Sequence, residues 1–185
     1  MLVRSGDVTV RQLLCPNSSD TPDQTDDVMA VWDFASPSNV SYGFPVPYGP
    51  PKTRAGEWMD SRVAVAADKG PYTSAGAPVP AASLEVYDAL RSRSTRDARS
   101  EWRSFNSRNH GGEGQNVLFA DSHVEFVSTP TVGVDLDNIY TAAGDNAAPA
   151  SYRYGVSPWN GSPHPFAPRG ADDQPIASTD SLIYP

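Results

Sequence analysis

Cysteine, cationic residues and long apolar runs are all scarce in this sequence. There is one cysteine, Cys15, among 185 residues, which excludes an internal disulfide and by itself says nothing of the cellular compartment. No apolar run approaches the roughly 20 residues that span a bilayer, and no signal peptide is apparent. We therefore expect membrane attachment only through a segment that this chain does not contain.

Cationic residues are outnumbered by acidic ones. Fourteen Lys and Arg stand against 22 Asp and Glu, which gives a net charge of -8 and a pI near 4.7. Such a charge repels nucleic acid, so we expect no nucleic-acid partner. Six of the fourteen cationic residues lie between 91 and 108, whereas the first 33 residues carry six aspartates. Arg99 and Arg103 are therefore candidates for contacts between subunits, with a solvated face as the alternative.

Proline is unusually frequent, at 18 residues, and glycine contributes 14 more. Proline fixes φ and removes a backbone donor, which disfavours long helices and central strands. Together the two stay below the roughly 25–30% that is typical of disorder. We predict one loop-rich globular domain over 1–185 of the α+β class, in which a small antiparallel sheet with a C-terminal β-hairpin packs on short helices.

Local patterns place the elements of this fold. Thr9 and Gln12 have the spacing of a capping box, so a short helix is predicted there, and Pro16 ends it. The run Val63–Ala66 predicts a buried strand. Apolar residues at helical spacing predict one or two modest helices between 83 and 105.

Aromatic residues are spread through segments that are otherwise rich in proline and glycine. Trp32, Tyr42 and Tyr48 belong to an extended segment, and Trp159 lies in an irregular C-terminal extension from about 142 to 185. A flexible linker would lack such rings. We predict that these aromatic residues order the proline-rich loops or form contacts between subunits.

Residues 109–126, NHGGEGQNVLFADSHVEF, carry the most informative pattern. The pattern predicts a β-hairpin with a two-residue turn at Asp121 and Ser122. In that register the side chains of one face are all apolar, namely Val117, Phe119, Val124 and Phe126. A sheet that packs on a core requires such a face.

The same residues resemble the C-terminal signature of the H-x9-DG family of prepilin-like proteins, which is abundant in planctomycetes and related to type II secretion pseudopilins. Five further stretches resemble the family in order along the chain: TVRQLLCPNSSDTPD, SNVSYGFPVPYG, VAVAADKGPY, GVDLDNIYT and TDSLIYP. The resemblance covers roughly 8–185. Ten residues separate His110 from Asp121 where the family has nine, and Ser122 stands where the family has glycine.

The resemblance implies a pilin-like head domain with a structural role. The family begins with a processing site and a long apolar helix, and this sequence shows neither, so we expect the soluble head alone. The implied function is a non-catalytic subunit or minor component of a cell-surface filament or secretion pseudopilus. The implied partners are further copies or other pilin-like subunits, and the implied location is extracellular, at the cell surface or periplasmic.

Asn109, His110, Asp121 and His123 are the candidate site residues of the hairpin segment. In the structural interpretation, which we favour, His110 hydrogen-bonds a backbone carbonyl or Asp121 and fixes the glycine-rich loop onto the turn. The alternative is a metal-dependent enzyme at His110, Asp121 and His123, because zinc is held by three or four such ligands in tetrahedral geometry.

A calcium site and a carbohydrate-binding function also remain open. Pilin-like heads sometimes hold calcium in C-terminal loops, and Asp135, Asp137 and Asn138 offer oxygen ligands at part of the spacing of a calcium loop. Solvated acidic turns are the competing interpretation of these residues, and we expect no cofactor besides calcium. An extracellular carbohydrate-binding module would use the exposed aromatic rings as stacking platforms. The sequence has no G-x-S-x-G motif that would indicate a hydrolase nucleophile.

Overall fold

The computed structural model describes residues 3–25, 27, 29–30, 34–45, 56, 59–71, 99–140, 179 and 181–184. The strands in these ranges are β1 (Tyr42–Pro45), β2 (Ala64–Asp68), β3 (Gln115–Phe119), β4 (Val124–Val127) and β5 (Ile183–Tyr184). The helical elements are one turn of α-helix, α1 (Arg99–Trp102), and the 3-10 turns Val10–Leu13, Pro37–Asn39, Arg108–His110 and Val134–Leu136. The described part of the chain thus has a small antiparallel sheet with few, short helices, as the sequence predicts.

The strands form one sheet in the order β4-β3-β2-β1-β5, and each neighbouring pair is antiparallel. The register between β2 and β3 shifts between Ala64 and Ala66, which is a β-bulge. Such a bulge bends the strand and increases its twist. β2 begins where the sequence predicts a buried strand, and Ala64 is fully buried.

One face of the sheet forms the hydrophobic core. Val117 of β3 is fully buried, and burial of a side chain of this size stabilises the fold by about 1.5–3 kcal/mol. Around it pack Ala64, Ala67, Phe119, Val127, Ile139, Tyr140 and Ile183. The core therefore joins the hairpin, the central strand and the last strand of the chain.

The hairpin of residues 115–127 is present, but the predicted two-residue turn is wrong. The backbone N–H of Ser122 bonds to the carbonyl of Phe119 at 2.9 Å, and the N–H of Phe119 bonds to the carbonyl of His123 at 3.0 Å. The loop therefore has three residues, 120 to 122. A two-residue turn of type I′ needs positive φ at both central residues, whereas a three-residue loop needs it only at the last. Ser122 takes that position with a φ of +74°.

The longer loop shifts the register by one residue and changes which side chains share a face. Leu118 pairs with Val124, and Asn116 pairs with Phe126. Val124 and Phe126 are therefore 64% and 51% exposed, on the face opposite buried Val117. The prediction of one apolar buried face that includes Val124 and Phe126 is wrong, because a slip by one residue exchanges the two faces of a strand.

The end of the predicted irregular C-terminal extension belongs to the sheet. Ile183 pairs with Pro45 of β1, and Leu182 is fully buried. The hydroxyl of Ser181 accepts a hydrogen bond from the N–H of Ala64 at 3.1 Å. Residues 141–178 of the predicted extension lie outside the described residues.

The predicted N-terminal helix is a single 3-10 turn with the expected capping box. The N–H of Thr9 donates to the side-chain oxygen of Gln12 at 2.8 Å. Of the helices predicted between 83 and 105, residues 83–98 lie outside the described residues, and the remainder contains α1. Trp102 and Phe105 are buried with their rings edge-on at 5.7 Å. Within the described ranges, none of the helices has the length and apolarity that crossing a bilayer requires.

Candidate functional site

A polar cluster forms where three distant segments meet on the sheet face opposite the core. Cys15 follows the first 3-10 turn, Asp68 ends β2, and His110 ends the 3-10 turn Arg108–His110. The sulfur, a carboxylate oxygen and a ring nitrogen of these residues lie within 4.8 Å of one another. Cys15 and Asp68 are buried, and the His110 side chain is 24% exposed. We call these residues the Cys15–Asp68–His110 cluster.

Local structure explains how His110 reaches this position. The hydroxyl of Ser107 accepts from the N–H of Asn109 and so starts the 3-10 turn. Gly112 has a φ of +78°, and a Cβ on it would lie 2.7 Å from the carbonyl oxygen of Arg103. Only glycine fits such a position without displacing the backbone. The chain can therefore reverse directly after His110 and enter β3.

Asp68 is the centre of the cluster's hydrogen bonds. One carboxylate oxygen, Oδ1, accepts from the side-chain amide of Asn109 at 3.0 Å. The other, Oδ2, accepts from the backbone and side-chain N–H groups of Asn116 at 2.6 and 3.1 Å. The Nε2 atom of His110 lies 3.0 Å from the same Oδ2. The side chain of Asp68 is fully buried, so these donors replace the water it loses on folding.

Among the described residues, the ring of His110 makes its polar contacts through one nitrogen, Nε2. In addition to Asp68, Nε2 lies 3.0 Å from the side-chain nitrogen of Asn116 and 4.0 Å from the sulfur of Cys15. The ring of Phe126 meets the imidazole edge-on, with centroids 5.5 Å apart. The outward-facing hairpin residue Phe126 thus partly covers the cluster.

Cys15 borders the cluster on the side of the N-terminal segment. Burial raises the pKa of Tyr42, and the nearby Cys15 and Asp68 raise it further, as does a side-chain hydrogen bond to Cys15. Each of these causes disfavours the charged phenolate. Tyr42 is therefore held as a neutral hydroxyl against the sulfur.

A partly buried ion pair lies next to the cluster, with the Lys69 and Asp20 side chains 12% and 10% exposed. The ammonium of Lys69 is 2.9 Å from both carboxylate oxygens of Asp20 and donates to the carbonyl of Pro37 at 2.8 Å. The hydroxyl of Ser41 donates to Asp20 at 2.7 Å, and the carbonyl of Ser41 accepts from Asn109 at 2.7 Å. A continuous hydrogen-bond network therefore joins the N-terminal segment to the sheet.

The predicted bond between His110 and Asp121 is not what the structure contains. Nε2 of His110 lies 3.0 Å from both Asp68 and Asn116, whereas Asp121 bonds to His123, with 2.5 Å between Oδ1 and Nδ1. Asp121 and His123 are both exposed on the hairpin loop. The alternative metal set of His110, Asp121 and His123 is also not assembled, because the one group of three such residues found in the described ranges is the Cys15–Asp68–His110 cluster.

The calcium candidates lie at the other end of the sheet. Asp137 and Asn138 are each 1% exposed. One carboxylate oxygen of Asp137 accepts from the N–H of Ser181 at 2.9 Å, and the side-chain oxygen of Asn138 accepts from the N–H of Tyr140 at 3.0 Å. These oxygens accept hydrogen bonds from backbone N–H groups of the protein. Asp135 lies on the 3-10 turn Val134–Leu136, and calcium binding there stays a prediction.

The predicted interface residues are only partly described. Tyr42 is half-buried at the cluster, and Arg103 forms an exposed ion pair with Glu113. Arg99 begins α1. Trp32, Tyr48 and Trp159 lie outside the described residues, so their roles as interface or carbohydrate-stacking residues stay predictions.

The geometry of the Cys15–Asp68–His110 cluster does not match a catalytic relay. In such a relay one ring nitrogen accepts the nucleophile's proton while the other donates to the carboxylate. Here the same nitrogen, Nε2, faces both the sulfur and the carboxylate. The arrangement instead places three potential ligand atoms, a sulfur, an oxygen and a nitrogen, within 4.8 Å of one another.

Cys15, Asp68 and Asn116 are the site residues that the sequence analysis missed. A signal for Asp68 is present, because a carboxylate directly after the apolar run Ala64–Ala67 is expected to be buried and to need partners. No sequence signal pairs it with His110, since strand register decides that contact.

Comparison with known proteins gave no matching family model, no matching curated protein and no matching solved structure. The resemblance to prepilin-like proteins therefore depends on the quoted residues alone.

Proposed function

We propose that this chain is a non-catalytic, pilin-like head that serves as a structural subunit or minor component of a cell-surface filament or secretion pseudopilus. The observation that carries the proposal is the position of His110, the histidine of the prepilin-like signature. Nε2 of His110 lies 3.0 Å from both Asp68 and Asn116 at a junction between segments. A histidine in that position fastens the fold and is poorly placed to attack or deprotonate a substrate.

The cavity beside the hairpin loop supports the same interpretation. It has a volume of about 310 Å³. The described residues of its lining are Gly56, Met59, Val65, Leu118, Phe119, Ala120 and Ser122, and none of these side chains is ionisable. General acid–base or nucleophilic chemistry requires a titratable or nucleophilic group that is activated by a neighbour, and the described part of this lining offers a single side-chain hydroxyl, that of Ser122.

A structural subunit also needs surfaces for contact with its neighbours. β4 is the last strand of the described sheet on one side, and it exposes Val124 and Phe126. Exposed apolar side chains on an edge strand favour association with another chain. We therefore propose further copies or other pilin-like subunits as partners, outside the cytoplasm.

Immunogold electron microscopy of the producing cells tests the proposal. We expect label on surface filaments or in the cell envelope, and the protein should sediment with sheared surface material. Label confined to the cytoplasm, with all of the protein monomeric in the soluble fraction, would reject the proposed function.

A pair of variants on β4 tests the contact surface. Val124→Lys should reduce incorporation into the sedimenting material, because it places a charge on the exposed apolar face. Glu125→Lys is the matched control, since it places the same side chain on the same strand but on the opposite face. Equal incorporation of both variants would exclude Val124 from the contact, and loss of both would indicate a charge effect without face selectivity.

A further inference from the structure

We propose that the Cys15–Asp68–His110 cluster, together with Asn116, binds one thiophilic divalent cation of the zinc class as a structural ion. This site goes beyond the proposed filament function and does not depend on it. Three of the four residues bring different ligand atoms to one point: a sulfur, a carboxylate oxygen and an imidazole nitrogen. Zinc is held in proteins by this combination of atoms.

The two close polar contacts of Nε2 of His110 supply the independent reason for a cation. Nε2 lies 3.0 Å from an oxygen of Asp68, which calls for a proton on the nitrogen. The same Nε2 lies 3.0 Å from the amide nitrogen of Asn116, a donor that calls for a lone pair. Neither protonation state of Nε2 satisfies both contacts.

Rotation of the Asn116 amide does not remove this conflict in the metal-free cluster. The amide nitrogen donates to Oδ2 of Asp68 at 3.1 Å. If the amide turns over, its oxygen takes that place and faces the carboxylate, so two acceptors meet. A cation between these atoms replaces the repulsion between the two acceptors by attraction, because Oδ2, Nε2 and the amide oxygen all become ligands.

The separations of these atoms are close to those of a tetrahedral site. Zinc bonds of about 2.0–2.3 Å place neighbouring ligand atoms roughly 3.3–3.7 Å apart. The distances from Nε2 are 3.0 Å to Oδ2 of Asp68, 3.0 Å to the Asn116 amide and 4.0 Å to Sγ of Cys15. The sulfur also lies within 4.8 Å of the Asp68 carboxylate, so small side-chain shifts and rotation of the Asn116 amide complete a four-ligand site.

The surroundings favour a structural role for the ion. Four protein ligands leave no open position for water or substrate, which is the property of a structural zinc site. Asn109 and the backbone N–H of Asn116 bond to Asp68 from outside the cluster and would hold its carboxylate in place. The ion would fasten the segment that contains Cys15 to β2 and β3, while the partly exposed imidazole leaves a route for entry.

Cobalt spectroscopy on the reduced full-length chain tests the site without any mutation. Cys15 is the one cysteine of the sequence, so a thiolate-to-cobalt charge-transfer band identifies it as a ligand. We expect this band together with the visible spectrum of tetrahedral Co²⁺, and we expect zinc to remove both at one ion per chain. A wild-type protein that binds neither ion stoichiometrically, or binds cobalt without the thiolate band, overturns the proposal.

Variants then assign the remaining ligands by isothermal titration with Zn²⁺. Cys15→Ser and His110→Gln should each weaken zinc binding by at least tenfold. His123→Ala is the matched control, because it removes the histidine of the exposed pair and should leave zinc affinity unchanged. If binding instead depends on His123, the ion belongs to the hairpin loop and the proposal fails.

Alkylation of the wild-type chain tests the same ligand if Cys15→Ser does not fold. Slower alkylation of Cys15 in the presence of added zinc supports the site, and equal rates with and without zinc overturn it.

Discussion

The described residues hold two aspartate–histidine pairs with the same chemistry and opposite surroundings. Asp68 and His110 come from distant parts of the sequence, meet at 3.0 Å, and enclose a carboxylate that is 0% exposed. Asp121 and His123 are two residues apart, meet at 2.5 Å, and are 47% and 51% exposed. Water competes strongly with the second pair, whereas in the first it reaches only part of the imidazole. Burial, and not the chemistry of the pair, therefore determines which of the two supports the fold.

The largest expected effect comes from breaking the buried pair at its carboxylate. Asp68→Asn replaces one acceptor oxygen by an NH₂ group that faces the donors of Asn109, Asn116 or His110. Leaving buried partners unpaired in this way typically costs about 3 kcal/mol of unfolding free energy. Urea denaturation followed by circular dichroism measures the loss.

Asp121→Asn is the matched control for that change. It makes the same substitution in the exposed pair and should leave the urea midpoint unchanged within error. If the two variants lose equal stability, burial does not distinguish the pairs and the comparison is wrong.

A double-mutant cycle isolates the interaction free energy between the two side chains of each pair. Asp68→Asn and His110→Gln, alone and combined, should give a coupling free energy of about 1–2 kcal/mol, since contacting residues in one buried network are non-additive. The corresponding cycle on Asp121 and His123 should give a coupling that is indistinguishable from zero, because the solvent screens an exposed pair. Additive effects in the buried cycle would contradict the assignment of His110 to Asp68.

The stability of the hairpin loop that carries the exposed pair should be limited by backbone strain at Ser122 and not by the pair. Ser122 has a φ of +74°, and this left-handed conformation costs a non-glycine residue about 1 kcal/mol. We expect Ser122→Gly to raise the unfolding free energy by about that amount, or somewhat less because glycine gains freedom in the unfolded state. Thermal and urea denaturation check the sign, and Ser128→Gly on the same hairpin's far end serves as a control that should not stabilise the protein. A destabilised Ser122→Gly variant would contradict the observed loop.

Much of the architecture follows from local patterns in the sequence, and the site does not. The capping box at Thr9 and Gln12 and the strand from Ala64 depend on short-range spacing, so they are predicted correctly. The hairpin is predicted, but its register depends on the loop conformation at Ser122, where one residue of loop length exchanges the two faces. The place of Ile183 at the far side of β1 has no local signal at all.

The contacts of His110 illustrate the same limit. The sequence marks this residue as important, but it suggests Asp121 as its partner because the two share one motif. The true partner, Asp68, is brought in by the pairing of β2 with β3. Side chains from different strands become neighbours only once the register is known.

The smallest expected effect is a shift in the pKa of Asp121 in the exposed pair. This shift tests whether Asp121 and His123 are in contact, even though the contact adds little stability. The pKa of Asp121 is lowered, first by the hydrogen bond from the His123 side chain and then by the backbone N–H of His123. A folded-state pKa below the unfolded value stabilises the folded state above the unfolded pKa, and this contribution is lost as the pH falls through the folded pKa, in the range below about pH 4. Carbon-detected NMR of the carboxylate should place the midpoint below the usual aspartate range in the wild type and nearer to it in His123→Ala. An unchanged midpoint in the variant would show that the imidazole does not hold the carboxylate, and the two pairs would then differ in contact as well as in burial.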